Sequence, residues 1–182
     1  MAATRVSAIF QKADLIEMRL CMLMNNTSQR SFIRNFFRGV SRLGDGIFWY
    51  SLAAIIPYLH GDKGFLQSAH VLLTGLCVLA LYKYLKKRLV RERPFISFEN
   101  IQQAAPALDR YSFPSGHTMH AFSFAIMFSY YLPAASSLVW GFTSLVAMSR
   151  VVLGLHYPTD VAAGAMLGSS MAILSLLLVT TL

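Results

Sequence analysis

Charge is what this sequence has least of. Asp, Glu, Lys and Arg make up 13% of its 182 residues, about half the ~25% usual in soluble domains. With 55% hydrophobic residues and a mean hydropathy of +0.52, that shortage excludes an ordinary water-soluble domain. Acidic residues are the scarcer kind, eight against sixteen Lys and Arg, for a net charge of +8. In a soluble chain such a balance would suggest nucleic acid. Here the apolar excess points to a bilayer instead, and no nucleic-acid partner is implied. Cysteine is nearly absent: Cys21 and Cys77 lie far apart and offer neither a disulfide framework nor metal-ligand spacing. There is no internal repeat and no low-complexity tract, and the length suits one domain.

The gaps between charges define the architecture. Residues 111–149 contain no Asp, Glu, Lys or Arg, a run of 39 residues. A membrane-spanning helix needs about 20 apolar residues, so this run predicts two helices. Leu132-Pro133 marks the turn between them, because proline ends a helix at the residue before it. After Arg150 the one charge left is Asp160, and 161–182 reads as another span. Residues 64–82 are uncharged and run into a basic cluster, and 46–60 form a shorter apolar stretch containing Pro57. The expectation is an all-α polytopic membrane bundle of about five transmembrane helices, near 46–60, 64–85, 115–132, 134–153 and 159–181.

The first 43 residues do not read as a span. Residues 6–24 interleave Ile9, Phe10, Leu15, Ile16, Leu20 and Leu23 with Lys12, Asp14, Glu17 and Arg19. That pattern predicts an amphipathic helix lying on the membrane surface; charges interrupt any signal-peptide core. Arg30, Arg34, Arg38 and Arg42 recur every fourth residue as a basic helical stripe facing solvent or lipid headgroups. The chain therefore divides into an interfacial segment, 1–43, and a membrane domain, 44–182.

With five spans, fifteen of the sixteen Lys and Arg fall on one side and only Lys63 on the other. Leaving out Lys86, Arg93 and Arg150, the count is still twelve against one. The positive-inside rule then places that side in the cytoplasm, and the expected location is a bacterial inner membrane.

Three polar clusters sit at that end of the spans. Lys86 and Arg93-Pro94 close the second span, Pro114-Ser115-Gly116-His117 opens the third, and Ser149-Arg150 closes the fourth, with His156 and Asp160 leading into the fifth. Three converging cations, Lys86, Arg93 and Arg150, would repel one another without a highly charged anion. Phosphate fits, since Arg offers bidentate donors and Lys a point charge. A Pro-Ser-Gly-His helix start adds backbone N–H groups, close approach at Gly116 and the Ser115 hydroxyl. Asp160 lies in the first helical turn, four residues after His156. There the helix dipole favours its charged form, and it can accept from one imidazole nitrogen, leaving the other as a nucleophile. His117, on another helix, is free to act as general acid. The constellation suits phosphoryl transfer through a phosphohistidine, with no metal and no cofactor required.

In order and complete, Lys86-x6-Arg93-Pro94, Pro114-Ser115-Gly116-His117 and Ser149-Arg150-x5-His156-x3-Asp160 resemble the three-part signature of the type 2 phosphatidic acid phosphatase superfamily. The resemblance implies that His156 is the nucleophile oriented by Asp160, and that His117 protonates the leaving group and later activates water. It implies that Lys86, Arg93, Ser115, Gly116 and Arg150 hold the phosphate of a lipid phosphate or diphosphate, without metal. Soluble bacterial acid phosphatases and vanadium haloperoxidases share the motif, but the long uncharged spans argue against both. Many membrane members have six spans and work on the outer face; this chain departs on both counts.

The leading expectation is thus a lipid phosphatase acting on a polyprenyl phosphate or diphosphate, phosphatidic acid or phosphatidylglycerol phosphate, with membrane lipids as its surroundings. A phosphotransferase would use the same residues, and a non-catalytic lipid-binding protein would not need them intact. The connection 95–113 is expected to guide the lipid tail, Asp109 and Arg110 to form a local pair, and Lys87, Arg88 and Arg91 to touch headgroups. His120 reads as structural, and Gly164-x3-Gly168 as a helix-packing seam. Zinc held by His117, His120, His156 and Asp160 is chemically conceivable, but the adjacent cations would repel it.

Overall fold

The computed structural model describes the backbone of residues 2–107 and 109–180, and side chains within that range from residue 15 onward. Among these residues the fold is all-α, without strands. The helices are α1 (Ala2–Thr27), α2 (Ser31–Gly44), α3 (Ile47–His60), α4 (Asp62–Arg88), α5 (Pro94–Ser97), α6 (Gly116–Tyr131), α7 (Ser136–Val152) and α8 (Pro158–Thr180), with a short 3-10 turn, Pro133–Ala135, before α7. The five stretches read as spans form helices α3, α4, α6, α7 and α8, of which three, α4, α7 with its preceding turn and α8, are long and apolar enough to cross a membrane. Their ends agree within three residues; the expected end at 181 lies outside the described residues. α3 is a shorter apolar helix. Leu66, Leu73 and Leu76 of α4 and Ile173 and Leu174 of α8 point outward, as lipid-facing positions do.

α6 is the hub, packed against α3, α4, α7 and α8. Its Phe124 and Phe128 meet Trp49 of α3, the Trp49 and Phe128 rings lying parallel with centroids 6.4 Å apart. Phe48 and Phe142 extend this aromatic core. α8 reaches α6 through the glycine seam: a Cβ at Gly164 would stand 2.6 Å from the Ser115 carbonyl oxygen, and one at Gly168 would collide with the backbone of Met119. Without side chains there, the two backbones approach closely. Pro57 inside α3 has no N–H to offer the Ala53 carbonyl. The Ser68 hydroxyl of α4 takes that carbonyl instead, at 2.5 Å, which ties the α3–α4 hairpin together. His70 joins three helices, with Tyr131 Oη at 2.6 Å and Ser175 Oγ at 2.7 Å.

α1 presents an unexpected face to the bundle. Leu15, Ile16, Leu20 and Leu23 are exposed, as an interfacial helix requires. The inward face, however, is Glu17, Cys21 and Asn25, all buried at four-residue spacing. Asn25 clamps the chain ahead of the site by donating to the Gln102 and Val152 carbonyls and accepting from the Gln102 N–H. Ile9, Phe10, Lys12 and Asp14, part of the amphipathic pattern, lie outside the described side chains.

Candidate active site

All three motifs meet at one end of the bundle. Lys86 lies in the last turn of α4, Arg93 just before α5, Ser115 at the N-cap of α6, Arg150 in the last turn of α7, and Asp160 in the first turn of α8. The start of α6 is tied to that of α8 by a hydrogen bond from the Ser115 N–H to the Asp160 carbonyl, 3.0 Å.

Arg93 is buried at the centre. Its Nη1 donates to the Leu155 carbonyl at 2.7 Å and stands 3.3 Å from His156 Nε2. Its other face holds Asp109: Nε donates to the carbonyl at 3.0 Å and Nη2 to Oδ1 at 2.8 Å. Lys86 Nζ donates to the same Oδ1 at 3.0 Å and to the Tyr111 carbonyl, and the Tyr82 hydroxyl donates to Asp109 Oδ2. Burial pushes the Asp109 pKa up, but the Tyr82 and Lys86 hydrogen bonds and the Lys86 and Arg93 charges outweigh it and hold the carboxyl below its usual range. This corrects the expected local pair with Arg110. Two unpaired buried cations cost more than one salt link between sequence neighbours returns, so Asp109 turns inward to Lys86 and Arg93.

His156 is fixed by its backbone. Its N–H and that of Leu155 both donate to the Arg150 carbonyl, at 3.1 and 3.0 Å. The turn needs a left-handed residue: Gly154 has φ +73°, and a Cβ there would lie 2.5 Å from the Gln102 carbonyl oxygen. The expected hydrogen bond to Asp160 is not formed; His156 Nδ1 stands 3.6 Å from Asp160 Oδ2 and is without a hydrogen-bond partner among the described residues. The Asp160 oxygens are otherwise engaged, Oδ2 by the Tyr157 N–H at 2.9 Å and Oδ1 by Arg91 Nη1 at 2.8 Å. Burial, then Arg150, Arg93, Lys86 and His117, depress the His156 pKa well below the ordinary histidine value. The imidazole is therefore neutral near pH 7 and keeps a lone pair.

Arg91, expected at lipid headgroups, instead binds both Asp160 and Glu17, the latter through Nη2 at 2.6 Å. It also lies over the Tyr157 ring, 3.8 Å from its centroid. Glu17 Oε1 accepts the Thr159 N–H at 2.9 Å and its hydroxyl. A carboxylate in the first turn of α8 and a second from α1 compete for this guanidinium more strongly than a hydrated headgroup does.

Arg150 is buried; its Nη1 donates to the Ser41 hydroxyl of α2, and its Nε has no hydrogen-bond partner among the described residues. Ser149 back-bonds to the Val146 carbonyl at 2.6 Å, and Ser115 Oγ pairs with Thr118 Oγ1 at 3.0 Å. His117 Nε2 is bonded to Asp45 Oδ1, and His120 Nδ1 to its own helix at the Gly116 carbonyl, 3.0 Å. Two cavities adjoin His117. One, of about 290 Å³, is lined by Trp49, Tyr50, Leu79, Tyr82 and Phe124 with Gly116 and His120. The other, of about 460 Å³, is lined by Arg38, Ser41, Arg42 and Arg150. The basic stripe of α2 thus contributes Arg38 and Arg42 to the site, beyond the headgroup contact expected of it. No group of three His, Cys, Asp or Glu among the described residues could hold a metal ion.

Sequence reading missed Glu17, Asp45 and the inward role of Asp109. The signal for Asp45 was present, an acidic residue between two glycines at the end of a basic stripe and just before the first span. Glu17 carried none, because a helix-surface glutamate is ordinarily solvated.

Fold and site together define a polytopic membrane helix bundle with a buried cluster of cations and histidines at one end of its helices. The sequence model of the PAP2 superfamily matches residues 68–182, and the chain belongs to that superfamily. The chain is 41% identical to decaprenylphosphoryl-5-phosphoribose phosphatase of Mycolicibacterium smegmatis over 43% of this chain and 42% of that protein. The crystal structure of Aquifex aeolicus LpxE superposes with a TM-score of 0.74 at 27% identity, covering 87% of this chain and 93% of that one. The PAP2-type phosphatidylglycerolphosphate phosphatase of Bacillus subtilis shares the fold, with a TM-score of 0.77 at 23% identity over 94% and 88% of the two chains. The matches span about a third to a half of the length of the curated relatives.

Proposed function

We propose that the protein is a metal-independent lipid phosphate phosphatase working through a phosphohistidine. The observation that carries this reading is His156, a buried neutral imidazole whose Nε2 lies 3.3 Å from the Arg93 guanidinium, on which Arg150, Arg93 and Lys86 all bear. Such a site stabilises a pentavalent phosphorus whose charge falls on its equatorial oxygens. In the first step His156 Nε2 attacks phosphorus, the P–O bond to the lipid breaks, and His117 gives its proton to the leaving oxygen. In the second, neutral His117 takes a proton from water, the water oxygen bonds to phosphorus, and the P–N electron pair returns to His156. Lys86, Arg93, Arg150, the Ser115 hydroxyl and the N–H groups from Gly116 hold the phosphate oxygens, and Asp160 faces His156 Nδ1. Asp109 yields Lys86 and Arg93 to the entering phosphate.

The lipid is an amphiphile, its apolar part on the aromatic cavity and its polar part on the Arg38–Arg42 cavity. Polyprenyl phosphates and diphosphates, phosphatidic acid and phosphatidylglycerol phosphate fit this description; the Mycolicibacterium relative is named for a decaprenyl lipid. Phosphate release in detergent from these four lipids, with EDTA present, tests the proposal. Activity that His156→Ala abolishes is expected. Activity surviving that substitution, or lost to EDTA, overturns the mechanism. Loss of the lipid's phosphate only when an acceptor lipid or sugar is supplied, with the phosphate recovered on that acceptor and not free, would identify a phosphotransferase.

The site is proposed to face the cytoplasm, on the charge asymmetry between Lys63 and the other fifteen basic residues. In intact cells producing a variant without Cys21 and Cys77, Lys63→Cys should react with a membrane-impermeant thiol reagent and Arg88→Cys only after permeabilisation. The reverse pattern would invert the topology.

A further inference from the structure

We propose that Asp45 is a positioning residue for His117, orienting its imidazole and supporting its protonated form while it serves as general acid. The inference rests on the role given to His117 in the proposed function.

The corner between α2 and α3 is built to aim this carboxylate. Gly44 lies against α7, where a Cβ would stand 3.0 Å from Val146, and its carbonyl accepts the Trp49 indole N–H at 3.1 Å. Gly46 has φ +152°, in the region that favours glycine, and a Cβ there would stand 2.6 Å from the Tyr50 ring. Asp45 is thus held between two glycines, one wedged and one turned, with its Oδ1 on His117 Nε2. The pair stands between the aromatic and the basic cavities and lines both, where a lipid's scissile bond would lie.

The chemistry follows from which nitrogen is taken. With Nε2 bound to a carboxylate, Nδ1 is the atom left to carry a proton to the leaving oxygen, and later to take one from water. The groups facing His117 are Arg150 from α7, Arg38 and Arg42 from α2, His120 from its own helix, Tyr82 from α4 and Asp45. Arg150 disfavours an imidazolium, and His120 and Tyr82 supply no anion to offset it. Asp45 is the one anion in this set. Its carboxyl is held below the usual range, first by the His117 hydrogen bond, against burial, and further by Arg150 and Arg42. The same Asp–imidazole logic fixes tautomer and orientation in other hydrolases.

Leaving-group dependence separates this role from a structural one. An alkyl alcohol needs a proton as it departs, whereas a nitrophenolate does not. Wild type, Asp45→Asn and Asp45→Glu are compared in detergent on a dialkyl lipid phosphate and on p-nitrophenyl phosphate, with melting temperatures recorded. Asp45→Asn is expected to lose about 10²-fold in kcat/KM on the lipid, the scale of general acid catalysis, and under threefold in kcat/KM on the aryl ester, since that ratio ends at leaving-group departure. Its basic pH limb should move to lower pH, and Asp45→Glu should recover part of the loss. Equal losses on both substrates, or no loss on the lipid, would overturn the proposal, as would an Asp45→Glu enzyme that hydrolyses both at wild-type rates with an unmoved limb. If Asp45→Asn does not fold, Asp45→Glu decides alone, by whether its loss is confined to the lipid. Absence of lipid phosphate hydrolysis by wild type would instead refute the proposed function, a distinguishable result.

Discussion

Glu17 and Asp160 share a single guanidinium. Arg91 donates from Nη1 to Asp160 Oδ1 at 2.8 Å and from Nη2 to Glu17 Oε2 at 2.6 Å. Helix α1 is thereby connected to the third motif, 143 positions away along the chain. Arg91→Met would leave the buried Glu17 and Asp160 carboxylates without their cation. Charge-assisted hydrogen bonds contribute about 1.5–3 kcal/mol, so turnover should fall at least ~10-fold, with a lower melting temperature. Glu17→Gln should cost less, since its amide oxygen still accepts from either Arg91 or Thr159, and Asp160 keeps its bond to Arg91. Steady-state kinetics of the two variants check the order; wild-type turnover in Arg91→Met would show the link to be inert.

Asp109 occupies the cations that phosphate is proposed to take. Asp109→Asn keeps the shape and removes the charge, leaving Lys86 and Arg93 short of an anion. The variant should melt below wild type in phosphate-free buffer, and orthovanadate or inorganic phosphate should raise its melting temperature by more than they raise that of wild type. Saturation at 100 Kd supplies about 2.7 kcal/mol, a shift of several degrees for a chain of this size. Equal shifts in both proteins would argue that Asp109 does not compete for the site.

The depressed pKa of His156 sets two pH dependences. Unfolded histidine titrates near ~6.5, whereas folded His156 stays neutral to lower pH. Below about 6.5 the unfolded chain therefore binds a proton that the folded one does not, and stability falls as pH falls, by up to about 1.4 kcal/mol per pH unit. That slope should be smaller in His156→Gln, measured by melting between pH 5 and pH 7, around the ~6.5 of unfolded histidine. In activity, the nucleophile's acid limb of kcat/KM should lie below about 6.5. A limb at the ordinary histidine value would contradict a buried, cation-surrounded imidazole.

Gly168 and Gly141 make a matched pair. A Cβ at Gly168 would collide with the Met119 backbone, whereas Gly141 has nothing within 4 Å. Gly168→Ala should cost about 1–3 kcal/mol by overpacking and reduce turnover, because pushing α8 from α6 separates Asp160 from Ser115. Gly141→Ala should be neutral or gain up to about 1 kcal/mol from helix propensity. Melting temperatures of both variants provide the comparison.

The helical layout was legible because the bilayer imposes a requirement that composition alone can satisfy. The uncharged runs around 64–82, 111–149 and 161–182 have one structural outcome in lipid, since every backbone polar group must be satisfied within its own helix. The site was legible for a related reason: Lys86, Arg93, Ser115, His117, Arg150, His156 and Asp160 sit where one helix ends and the next begins, and successive antiparallel helices bring alternate C- and N-terminal ends to the same side of the bundle. What the bundle does with the rest of its charge was not legible. For Arg91 and Asp109 the sequence points to headgroups and to a neighbour, the ordinary places for an isolated arginine and aspartate. Their partners depend on which other charges are buried nearby, a property of three-dimensional proximity.

The shortage of charge thus determined, by sequence alone, that this is a membrane helix bundle whose few charges gather at one end. Only the tertiary structure decided how those charges are neutralised: Asp109 on Lys86 and Arg93, Glu17 and Asp160 on Arg91, Asp45 on His117. Hydrophobic burial is non-directional and additive along the chain, so its pattern can be counted residue by residue. An ion pair in a poorly solvated site depends on distance and desolvation together, and those exist only once the helices have packed.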